Sequence, residues 1–200
     1  MHRAVFIDRD GVICHNRNDH VKSWDEFVFL PGAIESIVRL ARLNLPIIVI
    51  TNQAIINRDI VPVKVVENIN TCMVRVIEAA GGRIDRVMYC PHRPDEHCDC
   101  RKPRPGMLLR AAKDLDLNLD QSYFIGDAET DMQAARSASC HRYLVLTGRG
   151  RRQLMRCLIH GERGFGLKLN LRAAVNAILR QEGRTGWRQP RPVVGGGNGR

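Results

Sequence analysis

The stretch Ala4-Val5-Phe6-Ile7-Asp8-Arg9-Asp10-Gly11-Val12 decides the fold. Four apolar residues in a row read as a strand buried on both faces, because a strand with one wet face would alternate. Strands of that kind belong to parallel sheets covered by helices, where ligands collect beyond the carboxyl ends of the strands. Asp8 and Asp10 stand at such an end. Their spacing lets both carboxylates face one pocket while Arg9 points away.

The same rhythm extends down the chain. A helix is expected after Pro31-Gly32, where Ile34, Ile37, Val38, Ala41 and Leu45 recur at helical spacing. Pro46 to Ile50 reads as a second strand, halted by Thr51-Asn52-Gln53, and the stripe Val65, Val66, Ile69, Met73, Val76, Ile77, Ala80 as a helix ended by Gly81-Gly82. Strands at Arg86 to Tyr89, Tyr123 to Ile125 and Arg142 to Leu146 then alternate with helices at Met107 to Leu115 and Thr130 to Ala138. Helical spacing returns at Gln153 to Ile159 and Leu171 to Leu179. This order predicts an α/β fold with a doubly wound, mostly parallel sheet. One domain is expected over residues 1–182, with no insertion large enough for a cap domain, followed by a disordered basic tail over 183–200 that lacks apolar period.

Composition narrows the function classes. The chain of 200 residues is 44% hydrophobic, enough for one core, and no run approaches the roughly 18 apolar residues that cross a bilayer. Met1-His2-Arg3 leads straight into the first strand rather than into a signal peptide, so a cytoplasmic location without a membrane partner is expected. The net charge of +10 is confined to one end: Met1 to Gly148 holds 19 Lys/Arg and 19 Asp/Glu, Arg149 to Arg200 holds 12 Lys/Arg against Glu162 and Glu182. Such a segment can attract RNA, anionic lipid or an acidic partner. A solvated tail is the simpler reading, and with aromatics at only 5% there is no stacking platform for nucleic acid.

The residues ending the apolar runs carry the chemistry. Asp8-Arg9-Asp10-Gly11 follows the first strand, Thr51-Asn52-Gln53 the second, and Gly126-Asp127, then Asp131, the fourth. Carboxylates gathered at one sheet edge repel unless a cation lies among them, and an all-oxygen set suits Mg²⁺, so Asp8, Asp10 and Asp127 imply a magnesium site. Asp131 can instead serve the first helical turn. The third strand leads into Cys90-Pro91-His92 and Cys98-Asp99-Cys100, three thiols and an imidazole within eleven residues. That is a closed set for structural Zn²⁺ in a loop over 90–100, with His97 as a competing ligand and Arg101-Lys102-Pro103 tied directly behind it. Cys14, Cys72, Cys140 and Cys157 read as small buried hydrophobes.

Taken in order, Asp8-Arg9-Asp10-Gly11-Val12, Thr51-Asn52-Gln53, Arg101-Lys102-Pro103 and Gly126-Asp127 with Asp131 resemble the four motifs of the haloacid dehalogenase superfamily of phosphatases, over about three quarters of the chain. Within it, the cysteine loop and the Arg-Lys-Pro run look like the D-glycero-D-manno-heptose 1,7-bisphosphate 7-phosphatases, with histidinol-phosphate phosphatases as near relatives. The resemblance implies magnesium-dependent phosphomonoester hydrolysis of a small phosphorylated sugar; a monomer is expected. Asp8 would be the nucleophile that forms an aspartyl-phosphate, and Asp10 the acid and then the base. Thr51 and Lys102 would hold the transferring phosphoryl group, Asn52 and Gln53 would shape the neighbouring wall, and Arg101 would contact substrate phosphate. Magnesium would take Asp8, the backbone carbonyl of Asp10, and Asp127, with Asp131 behind them.

Three positions depart from that pattern. Ala54-Ile55-Ile56-Asn57-Arg58-Asp59 replaces a turn that usually carries glycines, Ala128 replaces a frequent lysine, and His20 an aromatic. They bear on the sugar rather than on phosphoryl transfer. Rival readings are a histidinol-phosphate or nucleic-acid 3′-phosphate phosphatase, and, in another class, a zinc-ribbon-type binding module whose carboxylates only cap helices.

Overall fold

The computed structural model describes residues 2–184. Its strands are β1 (Val5–Ile7), β2 (Ile47–Asn52), β3 (Arg86–Cys90), β4 (Tyr123–Gly126), β5 (His141–Val145) and β6 (Gly166–Lys168). They pair throughout in parallel, in the order β3-β2-β1-β4-β5-β6. The helices are α1 (Ala33–Ala41), α2 (Val63–Ala79), α3 (Gly106–Leu115), α4 (Glu129–Ser137), α5 (Gly150–Ile159) and α6 (Leu171–Arg184). Of the expected disordered tail, Gly183 and Arg184 close α6; the remainder lies outside the described residues.

Strand alternation divides the core in two. Val5 and Ile7 face one layer with Ile37 and Leu40 of α1, Met73 of α2 and Val175 of α6. Ala4 and Phe6 face the other with Met107 of α3, Met132 of α4 and Cys157 of α5. Each fully buried branched side chain contributes about 1.5–3 kcal/mol relative to exposure. Burial of β1 on both sides explains its unbroken apolar run.

The sequence reading missed β6. Gly166-Leu167-Lys168 carries no apolar run, and the strand is held by its ladder to β5 and by Phe165 packed into the second core layer. Between β1 and α1 the chain forms only a loop, pinned by Trp24 stacked on Phe27 (centroids 5.1 Å apart) and by Phe29 edge-on to Phe27. Among the described residues no folded cap stands there. The sheet order reverses at β1, with Ile7 in register with both Val49 and Ile125, so the ends of β1 and β4 flank the switch point where such sheets bind ligands.

Candidate active site

Asp8 and Asp127 leave adjacent strands at that switch point, and Asp131 enters from the first turn of α4. Oxygens of all three carboxylates lie within 4.8 Å of one another, and all three residues are buried. Lys102 reaches in from the segment after the cysteine loop. Its Nζ donates to Asp8 Oδ1 at 2.8 Å and to the Ile50 carbonyl at 2.9 Å, and pairs with Asp131 Oδ1 at 2.6 Å. Asp131 also accepts, through Oδ2, the backbone N–H groups of Asp127 and Ala128. It therefore fixes the start of α4 and the position of Lys102 together.

Even with the half-exposed Arg149 guanidinium, whose Nε lies 3.8 Å from Asp127 Oδ2, one buried ammonium among three buried carboxylates leaves an excess of negative charge. Burial, followed by repulsion from Asp8 and Asp131, pushes the Asp127 carboxyl up to about 8. Burial raises Asp8 to about 6 against the pull of Lys102. Burial depresses Lys102, but Asp131 and Asp8 outweigh it and leave its pKa above the ordinary lysine value. Asp127 Oδ2 accepts the Arg149 N–H at 2.7 Å, while Oδ1 is buried with no hydrogen-bond partner. A buried carboxylate oxygen without a donor, beside two further carboxylates, is what a hard divalent cation satisfies. The residues present fit magnesium.

The Asp10 carboxylate does not join this group. It faces Arg9, whose Nη2 lies 3.1 and 3.0 Å from its two oxygens, and Gln53 Nε2 at 2.9 Å, with the Thr51 hydroxyl at 3.4 Å. Burial acts to raise the Asp10 carboxyl, but the Arg9 guanidinium and the Gln53 bond prevail and hold it below the usual carboxylate range. The expectation that Arg9 points away from the pocket is therefore corrected. Arg9 is 1% exposed, and a buried guanidinium needs a counter-charge; it finds Asp10, and Asn70 Oδ1 of α2 at 3.0 Å. A metal role for Asp10 is left to its backbone carbonyl.

Thr51, Asn52 and Gln53 sit together at the end of β2. Asn52 and Gln53 line the cleft, and Asn52 also clamps Lys102: its Nδ2 donates to the Lys102 carbonyl and its Oδ1 accepts the Lys102 N–H, both at 3.1 Å. The cleft encloses about 440 Å³ and is lined by Arg9, Arg58, Arg101, Lys102 and Arg149, with Asp10 as its one carboxylate. It is built for an anion. In the altered turn Asp59 adopts a left-handed conformation (φ 55), as does His20 (φ 67) in the facing loop, where its ring meets Arg58 at 3.5 Å.

The cysteine loop brings Cys90, His92, Cys98 and Cys100 together, and His97 is not among them. The sulfurs lie 3.2 to 3.6 Å apart, His92 Nδ1 lies 3.5 Å from Cys90 and 3.3 Å from Cys100, and the cysteines are unbonded. A tetrahedron with bonds of about 2.3 Å has edges near 3.8 Å, so the four atoms suit zinc. Arg101, directly behind, donates from Nη1 to the His92 carbonyl at 3.0 Å.

The sequence reading passed over the loop after β5. Thr147 Oγ1 donates to the Gly11 carbonyl at 2.7 Å, and Gly148 lies against Asp127. Thr147-Gly148 is a polar strand end like the others, so the rule that found the first four sets would have found this one.

A family model described as HAD-hydrolase-like matches residues 99–161. The D-glycero-beta-D-manno-heptose-1,7-bisphosphate 7-phosphatase of Pseudomonas aeruginosa is 38% identical over 180 residues, 90% of this chain and 99% of that one. Its counterpart in Bordetella bronchiseptica is 38% identical over 152 residues, 76% of this chain and 85% of that one. Among solved structures, D,D-heptose 1,7-bisphosphate phosphatase from B. bronchiseptica, complexed with magnesium and phosphate, superposes with a TM-score of 0.85 at 34% identity, covering 90% of this chain and 99% of that chain. The enzyme from Burkholderia thailandensis gives 0.67 at 29% identity, covering 88% and 98%.

Proposed function

This chain belongs to the D-glycero-β-D-manno-heptose-1,7-bisphosphate 7-phosphatase family of haloacid dehalogenase-like hydrolases, and on that premise we propose that it removes the 7-phosphate of the heptose bisphosphate through an aspartyl-phosphate on Asp8. The observation that carries the reading is the buried group of Asp8, Asp127 and Asp131 around Lys102, with Asp127 Oδ1 lacking any donor.

Magnesium would be held by Asp8, Asp127 and the Asp10 carbonyl, and when bound it supplies positive charge against the phosphoryl oxygens. Lys102 lowers the repulsion between the Asp8 carboxylate and the phosphate dianion and fixes which Asp8 oxygen is free to attack. Asp8 forms a bond to phosphorus as the bond to the sugar oxygen breaks, and Asp10 delivers its proton to that oxygen. Water then attacks the aspartyl-phosphate, Asp10 takes its proton, phosphate leaves and Asp8 is restored. The resting partners of Asp10, Arg9 and Gln53, favour the ionised form that the second half requires. In the first half Asp10 must carry a proton, which the approach of a phosphate dianion promotes. Thr51 donates to the transferring group, while Asn52 acts one step away by clamping the Lys102 backbone.

Zinc, held by Cys90, His92, Cys98 and Cys100, would stiffen the loop that carries Arg101 and Lys102. The cationic lining of the cleft supports a substrate with a second phosphate beyond the reacting one. The deciding experiment is magnesium-dependent phosphate release from heptose 1,7-bisphosphate, histidinol phosphate and a 3′-phosphorylated oligonucleotide. Preferred turnover of the heptose bisphosphate is expected; turnover of the oligonucleotide alone would reject the substrate. Asp8→Asn protein that still released phosphate would remove the mechanism.

A further inference from the structure

Among the described residues, half of the exposed large hydrophobic side chains fall between residues 155 and 169: Met155 (57% exposed), Leu158 (54%), Ile159 (74%), Leu167 (46%) and Leu169 (71%). The first three lie on α5. Helical spacing places them on one arc, opposite Cys157, which is fully buried. One flank of α5 is committed to α4, since Arg156 Nε and His160 Nδ1 reach Glu129 at 3.3 and 2.6 Å. Met155 and Leu158 therefore lean toward the other flank, on the side of the edge strand β6.

Strand alternation brings Leu167 to the same place. Phe165 packs into the core layer beneath α5, whereas Lys168 lies over the ring of Tyr143, which belongs to the opposite layer. Leu167 thus projects on the α5 side. The result is an apolar patch on a helix and the neighbouring sheet edge, at the end of the sheet away from β3.

The charge around this patch has one sign. Residues 150–170 hold four arginines, Lys168 and the single carboxylate Glu162. Glu162 is buried and neutralised by Arg136 and Arg142. Among the described residues Arg151, Arg152 and Arg163 have no carboxylate partner. A second copy of the same patch would set these cations against one another, and a nucleic acid would leave the apolar side chains uncovered. An anionic lipid surface satisfies both features: headgroup phosphates meet the arginines, and Met155, Leu158 and Ile159 enter the boundary between headgroups and acyl chains.

We propose that the α5–β6 edge is a docking surface for anionic membranes, engaged peripherally. No helix of the described residues is long and apolar enough to cross a bilayer. This surface is separate from the carboxylate site, so its test is independent of which phosphate ester is hydrolysed.

The test is sedimentation of the full chain with phosphatidylglycerol-containing vesicles and with pure phosphatidylcholine vesicles, at low and high salt. Binding to the anionic vesicles alone, weakened by salt, is expected. The triple variant Met155→Asp, Leu158→Asp, Ile159→Asp should lower partitioning roughly tenfold or more with phosphate release unchanged. Replacing Arg188, Arg191 and Arg200 by Gln should weaken binding much less. Failure to sediment with anionic vesicles overturns the proposal. So does full binding by the triple Asp variant, or a loss confined to the C-terminal Gln variant. Competition by soluble polyaspartate as effective as competition by vesicles would reassign the patch to an acidic protein.

Discussion

Gly148 is pressed against Gly11, 137 residues earlier in the chain, so closely that a Cβ on Gly148 would overlap both the Gly11 Cα and Asp127 Oδ2. Both glycines adopt positive φ, 55 for Gly148 and 90 for Gly11. The two backbones form a slot for the carboxylate, and the next residue, Arg149, donates its N–H to it. Gly148→Ala should therefore displace Asp127 as well as strain its own turn. The expected outcome is at least a roughly tenfold fall in turnover, and a smaller rise in melting temperature on adding magnesium. Gly161→Ala is the control, since Gly161 has φ 68 but open space where a Cβ would go. It should cost about 1–2 kcal/mol of stability from the backbone alone and leave turnover intact.

The carboxylate group makes the metal-free protein sensitive to pH in a defined direction. Asp127 is raised from 3.8 to about 8, and Asp8 to about 6, chiefly by burial. Between the unfolded and folded pKa values the folded protein binds more protons, so stability declines as pH rises. For Asp8 the decline runs from about pH 4 to 6, and for Asp127 from about pH 4 to 8. Chemical denaturation of metal-free protein should show lower stability at pH 8 than at pH 5, by a few kcal/mol, with magnesium restoring much of the difference. Asp127→Asn should flatten the profile and remove the magnesium effect. A metal-free protein more stable at pH 8 than at pH 5 would contradict the arrangement.

Lys102 is the counter-charge for this group, so its removal has two effects. Lys102→Met leaves Asp8 and Asp131 buried without their cation, a change of the kind that costs about 3–5 kcal/mol. Turnover should fall by roughly two to three orders of magnitude as the dianion loses a positive neighbour. Adding Asp131→Asn to Lys102→Met should recover part of the stability, because one unpaired charge is gone, yet none of the turnover. Urea unfolding and phosphate release separate the two effects.

Most of the fold was legible because the strands β1, β2 and β4 are buried on both faces, which writes an unbroken apolar run into the sequence. β6 was not, since a three-residue edge strand takes its place from its neighbour rather than from its own composition. Asp8 and Asp127 were legible for a similar reason: each follows an apolar run, and the strand-end rule points at them. Arg9 was misjudged because alternation along an extended chain gives the direction of a side chain at its root, whereas a long guanidinium can fold back onto the residue beside it. The Asn52 clamp on the Lys102 backbone and the pairing of Gly11 with Gly148 join segments about 50 and 137 residues apart, and no local signal records such contacts.

The cysteine loop holds Arg101 and Lys102 unequally, and that inequality yields a prediction about zinc. Lys102 is secured at both ends, its backbone by the two hydrogen bonds exchanged with Asn52 and its ammonium by contacts with Asp8, Asp131 and Ile50. Among the described residues the Arg101 guanidinium has a single hydrogen bond, to the carbonyl of His92, itself one of the four clustered residues. Without the metal, burial pushes the Cys90 thiol upward, and only weak sulfur hydrogen bonds tie Cys90, Cys98 and Cys100 together. The loop should then loosen around His92, and Arg101 should lose its bearing before Lys102 does. Cys98→Ser protein, or protein stripped by a chelator, should contain much less than one zinc per chain by elemental analysis. Its KM for a bisphosphate should rise several-fold more than its kcat falls, because the lost contact is to substrate phosphate and the group facing Asp8 remains in place. An equal loss in kcat with KM unchanged would mean that the metal holds Lys102 instead, against the geometry of the Asn52 clamp.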